Sequence, residues 1–116
     1  MNYKVVANLI FEFEGQDSIG NTITIQHIKN NVRCDLSSNF SINYYANQGN
    51  RQLNNSINLI TRKENAFDVV IEDNVYQLRR VEYNGLIYML KNKLEYRENR
   101  QMVILDCEEE FTRLNS

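Results

Sequence analysis

Apolar and polar residues alternate along most of this chain, and the period of the alternation is two. Between Lys4 and Glu14, Val5, Ala7, Leu9, Phe11 and Phe13 fall on one side of an extended chain. Lys4, Asn8, Glu12 and Glu14 fall on the other, with Val6 and Ile10. That period predicts a strand. Gly15 to Asn21 is a cluster of turn formers. Alternation returns over Thr22–Gln26, with Ile23 and Ile25 on one side. It loosens from His27 to Asn31 and resumes at Val32 and Cys34. A bulge or bend near Lys29 reconciles the two parts. Ser56–Arg62 and Phe67–Ile71 read as short strands, with turns at Lys63-Glu64-Asn65 and Glu72-Asp73-Asn74.

The clearest pattern lies in Val81–Glu110. Asn84-Gly85 sits between two β-prone runs, and both residues accept the positive φ of a two-residue type I′ turn. Such a turn sets Tyr83 opposite Leu86 and Val81 opposite Tyr88. Leu78 and Val81 then differ in parity, which predicts a bulge or break at Arg79-Arg80. A second hairpin turning near Glu98-Asn99 sets Leu94 opposite Val103, Leu90 opposite Cys107 and Lys91 opposite Asp106. The two hairpins share one inward face: Leu86, Tyr88, Leu90, Leu94, Val103, Leu105 and Cys107. The predicted class is mainly β, a small antiparallel barrel or sandwich of six to seven strands. One region interrupts it. Residues 37–55 form an irregular insertion between early strands. Ser37 or Ser38 could N-cap a short helix that Gly49 ends, and Gln48–Asn55 reads as a loop. Residues 111–116 read as a polar tail.

Composition narrows the functional classes. At 116 residues, with 42% hydrophobic and 24% charged positions, the chain reads as one soluble domain spanning 1–116. A formal net charge of −2 disfavours a sequence-independent coater of DNA, which would be basic. The interrupted apolar run at residues 1–14 is not a convincing signal peptide, and no stretch approaches the ~20 apolar residues of a membrane span. The expectation is an intracellular chain with no membrane contact. In that setting Cys34 and Cys107 are expected free and buried.

Catalytic patterns are missing. His27 is the only histidine, and no Cys-x-x-Cys accompanies it, so no zinc ligand set is assembled. There is no nucleophile elbow and no Gly-rich phosphate loop. The carboxylates at Glu72-Asp73 and Asp106–Glu110 read as solvated strand ends. The expectation is a protein without enzymatic activity and without cofactor or metal. Arg79, Arg80, Lys91, Lys93, Arg97 and Arg100, interleaved with Tyr83, Tyr88 and Tyr96, give an alternative: a small nucleic-acid-binding barrel, on which aromatics stack bases and cations follow phosphate.

Taken in order, Val32-Arg33-Cys34, Ser37-Ser38, Tyr44-Tyr45-Ala46-Asn47-Gln48-Gly49, Ile57-Asn58-Leu59, Val81–Tyr88 and Leu105–Glu109 fall within a span, from about Val32 to Glu110, that covers about two-thirds of the chain. This succession resembles the head-closure, or head–tail connector, proteins of long-tailed bacteriophages and prophages, some of them called stoppers or head-completion proteins. The resemblance implies a small β-barrel that assembles as a ring in the virion after synthesis in the bacterial cytoplasm. Its partners would be further copies of itself, portal or adaptor proteins on one side and a tail-terminator protein on the other. DNA would pass through the channel without sequence-specific binding. A tail-terminator or adaptor of the same connector is the nearest alternative. The family's closing segment lies between early barrel strands, which puts Phe40, Tyr44, Tyr45 and Arg51 forward for neighbour or channel contacts. Glu108, Glu109 and Glu110 are put forward as an exposed acidic edge.

Overall fold

A computed structural model describes residues 5–37 and 56–110. Seven strands succeed one another: β1 (Val5–Gln16), β2 (Thr22–Ser37), β3 (Ser56–Arg62), β4 (Val69–Ile71), β5 (Asn74–Tyr83), β6 (Leu86–Glu95) and β7 (Met102–Glu109). Among the described residues a single 3-10 turn, Lys63–Ala66, comes after β3. All pairings are antiparallel. The sheet order is β1-β2-β3-β7-β6-β5-β4, and β1 also pairs with β5. That extra pairing closes six strands into a barrel, with β4 hanging outside as the partner of the first residues of β5. Of the two predicted architectures, the barrel is the one formed.

Closure happens because the inward residues are apolar at every strand. Ala7, Leu9 and Phe11 of β1 meet Cys34, Leu59, Leu78, Val81, Tyr88, Leu105 and Cys107, all buried in one cluster. A six-stranded barrel is narrow enough for such side chains to fill it.

Two bulges let strands of mixed parity share that interior. Opposite Asn8, β2 supplies two residues, Asn30 and Asn31, because Ala7 pairs with Val32 and Leu9 with Lys29. Asn31 takes a φ of 56°, and Asn8 Oδ1 accepts its backbone N–H at 2.9 Å. The amide of Asn8 also donates to Glu82 at 3.1 Å, so one polar side chain clips β2 to β5. The second bulge is at Arg79. Ile10 pairs with Arg80 and Phe11 with Leu78, which leaves Arg79 extra and points both Leu78 and Val81 inward. The Asn84-Gly85 turn forms as expected, with φ of 56° and 81°, and Tyr83–Leu86 and Val81–Tyr88 are paired.

The second hairpin departs from expectation. Leu90 does pair with Cys107, but a third bulge at Lys91 shifts the register of the pairs beyond it. Asn92 therefore faces Asp106 and Leu94 faces Ile104. Leu94 leaves the predicted inner face and joins Ile60, Met102 and Ile104 in a second cluster on the outside of the wall, with Tyr96. Leu86, at the mouth of its turn, is exposed. β2 extends through Ser37. The rest of the predicted insertion and the 111–116 tail lie outside the described residues.

One end of the barrel is stoppered. Lys29 Nζ donates to the Asn65 carbonyl at 3.2 Å and Lys93 Nζ to that of Ala66 at 3.1 Å. Asn65 donates to Thr61 Oγ1, which in turn donates to the Arg33 carbonyl, each at 2.9 Å. The 3-10 turn is held across the opening by β2, β3 and β6 together.

Below Glu12 and Gln77, the last β1–β5 pair, the strands continue as an open skirt in the order β2-β1-β5-β4. On its inner side Phe13 packs on Tyr76 at 5.5 Å between ring centroids, and His27 meets Tyr76 edge-on at 6.3 Å.

Candidate interaction surface

Three surfaces concentrate chemistry, and none resembles a catalytic centre. The first is an ion-pair network on the outer wall. Arg80 lies beside the bulge, at the seam where β1 meets β5. Its guanidinium donates to Glu12 of β1 and, at 3.1 Å, to Glu110 just after β7. Glu110 reaches this seam because its backbone N–H bonds the Ile87 carbonyl at 2.9 Å and continues the β6–β7 ladder. Gln26 donates to the same Glu12 at 3.1 Å. Partial burial works against the charge on Arg80. The bond to Glu110 and the two carboxylate charges outweigh it and hold the guanidinium above its ordinary range. These groups line an open depression of about 480 Å³ with Ile10, Thr24 and Ile87.

The residues put forward from sequence fall in two groups. Phe40, Tyr44, Tyr45 and Arg51 lie outside the described residues. Glu108, Glu109 and Glu110 are described, and they do not form an exposed edge. β7 is flanked on both sides, Ser56 pairing with Glu108 and Tyr88 with Glu109, and all three carboxylates are half-buried. Glu108 binds Lys91 at 3.5 Å and Glu110 binds Arg80. An acidic run after an apolar strand looked like a solvated end. The strand is interior to the sheet, and its acids fasten neighbouring strands.

The tyrosine-and-cation stretch is also built into the wall. Tyr76 and Tyr88 are buried and Tyr83 packs against the core. Tyr88 titrates above its ordinary range, chiefly through burial and then through Glu109. Arg79 bonds Gln77, Arg80 and Lys91 are ion-paired, and Lys93 holds the 3-10 turn. Little of the stretch is left as a stacking platform.

Both cysteines are free and buried. Burial pushes Cys34 up to about 11, against a smaller lowering from Thr61. Burial likewise pushes Cys107 up to about 12, with Asp106 adding to it. Such thiols stay protonated and inert at neutral pH. Among the described residues no cluster of His, Cys, Asp or Glu could hold a metal ion, and no helix is long and apolar enough to cross a membrane.

The remaining two surfaces are the outer edges of β2 and β4. Among the described residues, no strand pairs with β2 on its far side before Asp35, although Thr61 already reaches the Arg33 carbonyl, and none pairs with β4 beyond β5. Val70, Phe67 and Ile28 are exposed around these edges. Sequence reasoning missed them. Strand alternation marks a strand but does not say which strands end without a neighbour.

Comparison with family models and with the curated proteins finds no match to this chain.

Proposed function

We propose that this chain is a structural virion protein, a subunit of a phage head–tail connector. It forms a head-closure ring that joins portal or adaptor to tail and helps retain packaged DNA. The observation that supports this reading is a closed β-barrel whose long connection, residues 38–55, falls between its second and third strands. That is the place of the closing segment in the family the sequence resembles. A filled barrel with ion-paired walls suits a protein whose work is contact rather than chemistry. In this reading the subunit is no enzyme and needs no cofactor. It contacts a tail-terminator protein on the side away from the portal, and DNA slides past it without specific binding. The net negative charge leaves no attractive field to hold the DNA as it passes.

The test is light-scattering chromatography of the purified chain, alone and with the portal and adaptor proteins encoded near its gene. Assembly, or co-elution with either partner, is the expected result. A strict monomer that binds neither overturns the reading. Salt-sensitive retention on single-stranded DNA would instead favour a nucleic-acid-binding barrel.

A further inference from the structure

The alternation of apolar and polar residues does not stop where the barrel stops. Past the last β1–β5 pair, at Glu12 and Gln77, the inner side of the skirt pairs Phe13 with Ile25 and Gly15 with Ile23. The outer side of the same two strands is polar, with Glu14 beside Thr24 and Gln16 beside Thr22. β5 and β4 add Tyr76 and Val69, which pair with each other, and Ile71 opposite Asn74. A sheet with one apolar face is built to be covered, yet Ile23 and Ile25 are each 39% exposed. The chain outside the described residues joins at the other end of the barrel: Val5 pairs with Cys34, Ser37 with Asn58, and Glu110 bonds Ile87. Ser37 lies about 40 Å along β2 from Ile25. A segment that leaves there and returns at Ser56 reaches roughly 30 Å at most.

Charge says what kind of molecule this face takes. Asp17 stands in the β1–β2 turn, Glu72 and Asp73 make the β4–β5 turn, and Asp68 precedes β4. Both tips of the skirt are therefore acidic. Neither residues 5–28 nor residues 64–78 include a Lys or Arg. Among the described residues none of the four carboxylates is ion-paired. Lys29, at the barrel end of the face, is bonded to the Asn65 carbonyl. We propose that the inner face of the skirt docks a basic amphipathic segment of a partner protein. Its apolar side chains lie on Phe13, Ile23 and Ile25, and its Lys and Arg side chains reach the acidic tips. Such a segment meets both features of the face, apolar floor and acidic rim. A nucleic acid or an anionic membrane would be repelled by the same tips. Two skirts packed face to face would set like charges together. The docking face does not rest on the connector reading above.

The probe is a dye-labelled synthetic peptide of leucine and lysine, spaced to give one apolar and one basic face, titrated against the whole chain by fluorescence anisotropy. Two control peptides keep the spacing, one of leucine and glutamate, the other of serine and lysine. Only the leucine–lysine peptide is expected to bind, and added salt should weaken it. Ile23→Ser combined with Ile25→Ser should weaken binding about tenfold. Neutralising the rim with Asp68→Asn, Glu72→Gln and Asp73→Asn should weaken it at low salt and flatten the salt dependence. All five positions are exposed. Amide hydrogen exchange on the wild type gives a readout independent of the variants: the peptide should add protection over 22–27 and 69–76. Equal binding of the serine–lysine peptide, full binding by the isoleucine variant, or protection gained elsewhere overturns the docking face. Preference for the leucine–glutamate peptide, or for phosphatidylglycerol vesicles, overturns it too. Protection over 22–27 that grows with protein concentration and no peptide makes the occupant a second copy and likewise overturns it. Binding to portal or adaptor is measured separately, so the connector reading stands or falls on its own test.

Discussion

Phe11 and Phe13 sit two residues apart on one face of one strand, and their surroundings have little in common. Phe11 lies in the closed barrel, with strands on both sides and a filled interior across from it, and is fully buried. Phe13 lies in the skirt, where the β1–β5 pairing has ended, and is only partly covered, by Tyr76 and its own hairpin. Ile23 and Ile25 share its side of the sheet and are each 39% exposed. Burial along a strand is thus set by what faces it, and the same residue type changes role within one turn of the pleat.

That contrast can be broken most forcefully from the barrel side. Phe11→Ala should cost about 3–5 kcal/mol in urea unfolding, and Phe13→Ala only about 1–2 kcal/mol. Equal losses would mean that the skirt is as well packed as the barrel. Alkali should also act on the barrel first. Each thiol has an ordinary pKa of 9.0 unfolded and a raised one folded, about 11 for Cys34 and about 12 for Cys107. The folded state then holds more protons than the unfolded one. Stability is unaffected by the thiols below pH 9 and falls above it, by roughly 1 kcal/mol per pH unit for each. Thermal melts from pH 7 to 11 should show this decline, and Cys107→Ala should make it shallower. At the hairpin closing the barrel's rim, Gly85→Ala places a side chain at a φ of 81° with nothing within 4 Å of it. The loss is backbone strain alone, about 1–2 kcal/mol. Arg80→Met should lower stability by about 1 kcal/mol, with the difference shrinking in added salt. The smallest effect belongs to the skirt: Ile25→Thr should change unfolding by less than about 0.5 kcal/mol.

Much of the barrel was legible because its signals are local. Asn84-Gly85 fixed one register through turn chemistry, and the parity of Leu78 and Val81 exposed the bulge at Arg79. The loosened alternation near Lys29 marked the bulge that Asn31 completes. The Lys91 bulge left no such mark. Lys91, Asn92 and Lys93 are all polar, so no parity conflict announced the slip that moves Leu94 outward. Long-range events were equally silent. Nothing in β1 or β5 says that they will pair, and nothing about Lys29 and Lys93 says that both will hold one 3-10 turn. The candidate contacts fared according to the same rule. Glu108–Glu110 were visible as charge, but their role depended on which strands would flank β7.

The seam between β1 and β5 also bears on how the chain comes to fold. The hydrogen bond from Asn8 to Glu82 spans 74 residues. Local hairpins such as β5–β6 can form in microseconds, whereas a contact of that separation waits on a large loss of chain entropy. During synthesis β1 and β2 leave the ribosome before β5, and an isolated two-stranded ribbon is marginally stable at best in water. For that interval the apolar side of β1 has no barrel to enter. The seam is therefore the step at which a nascent chain completes its own cylinder.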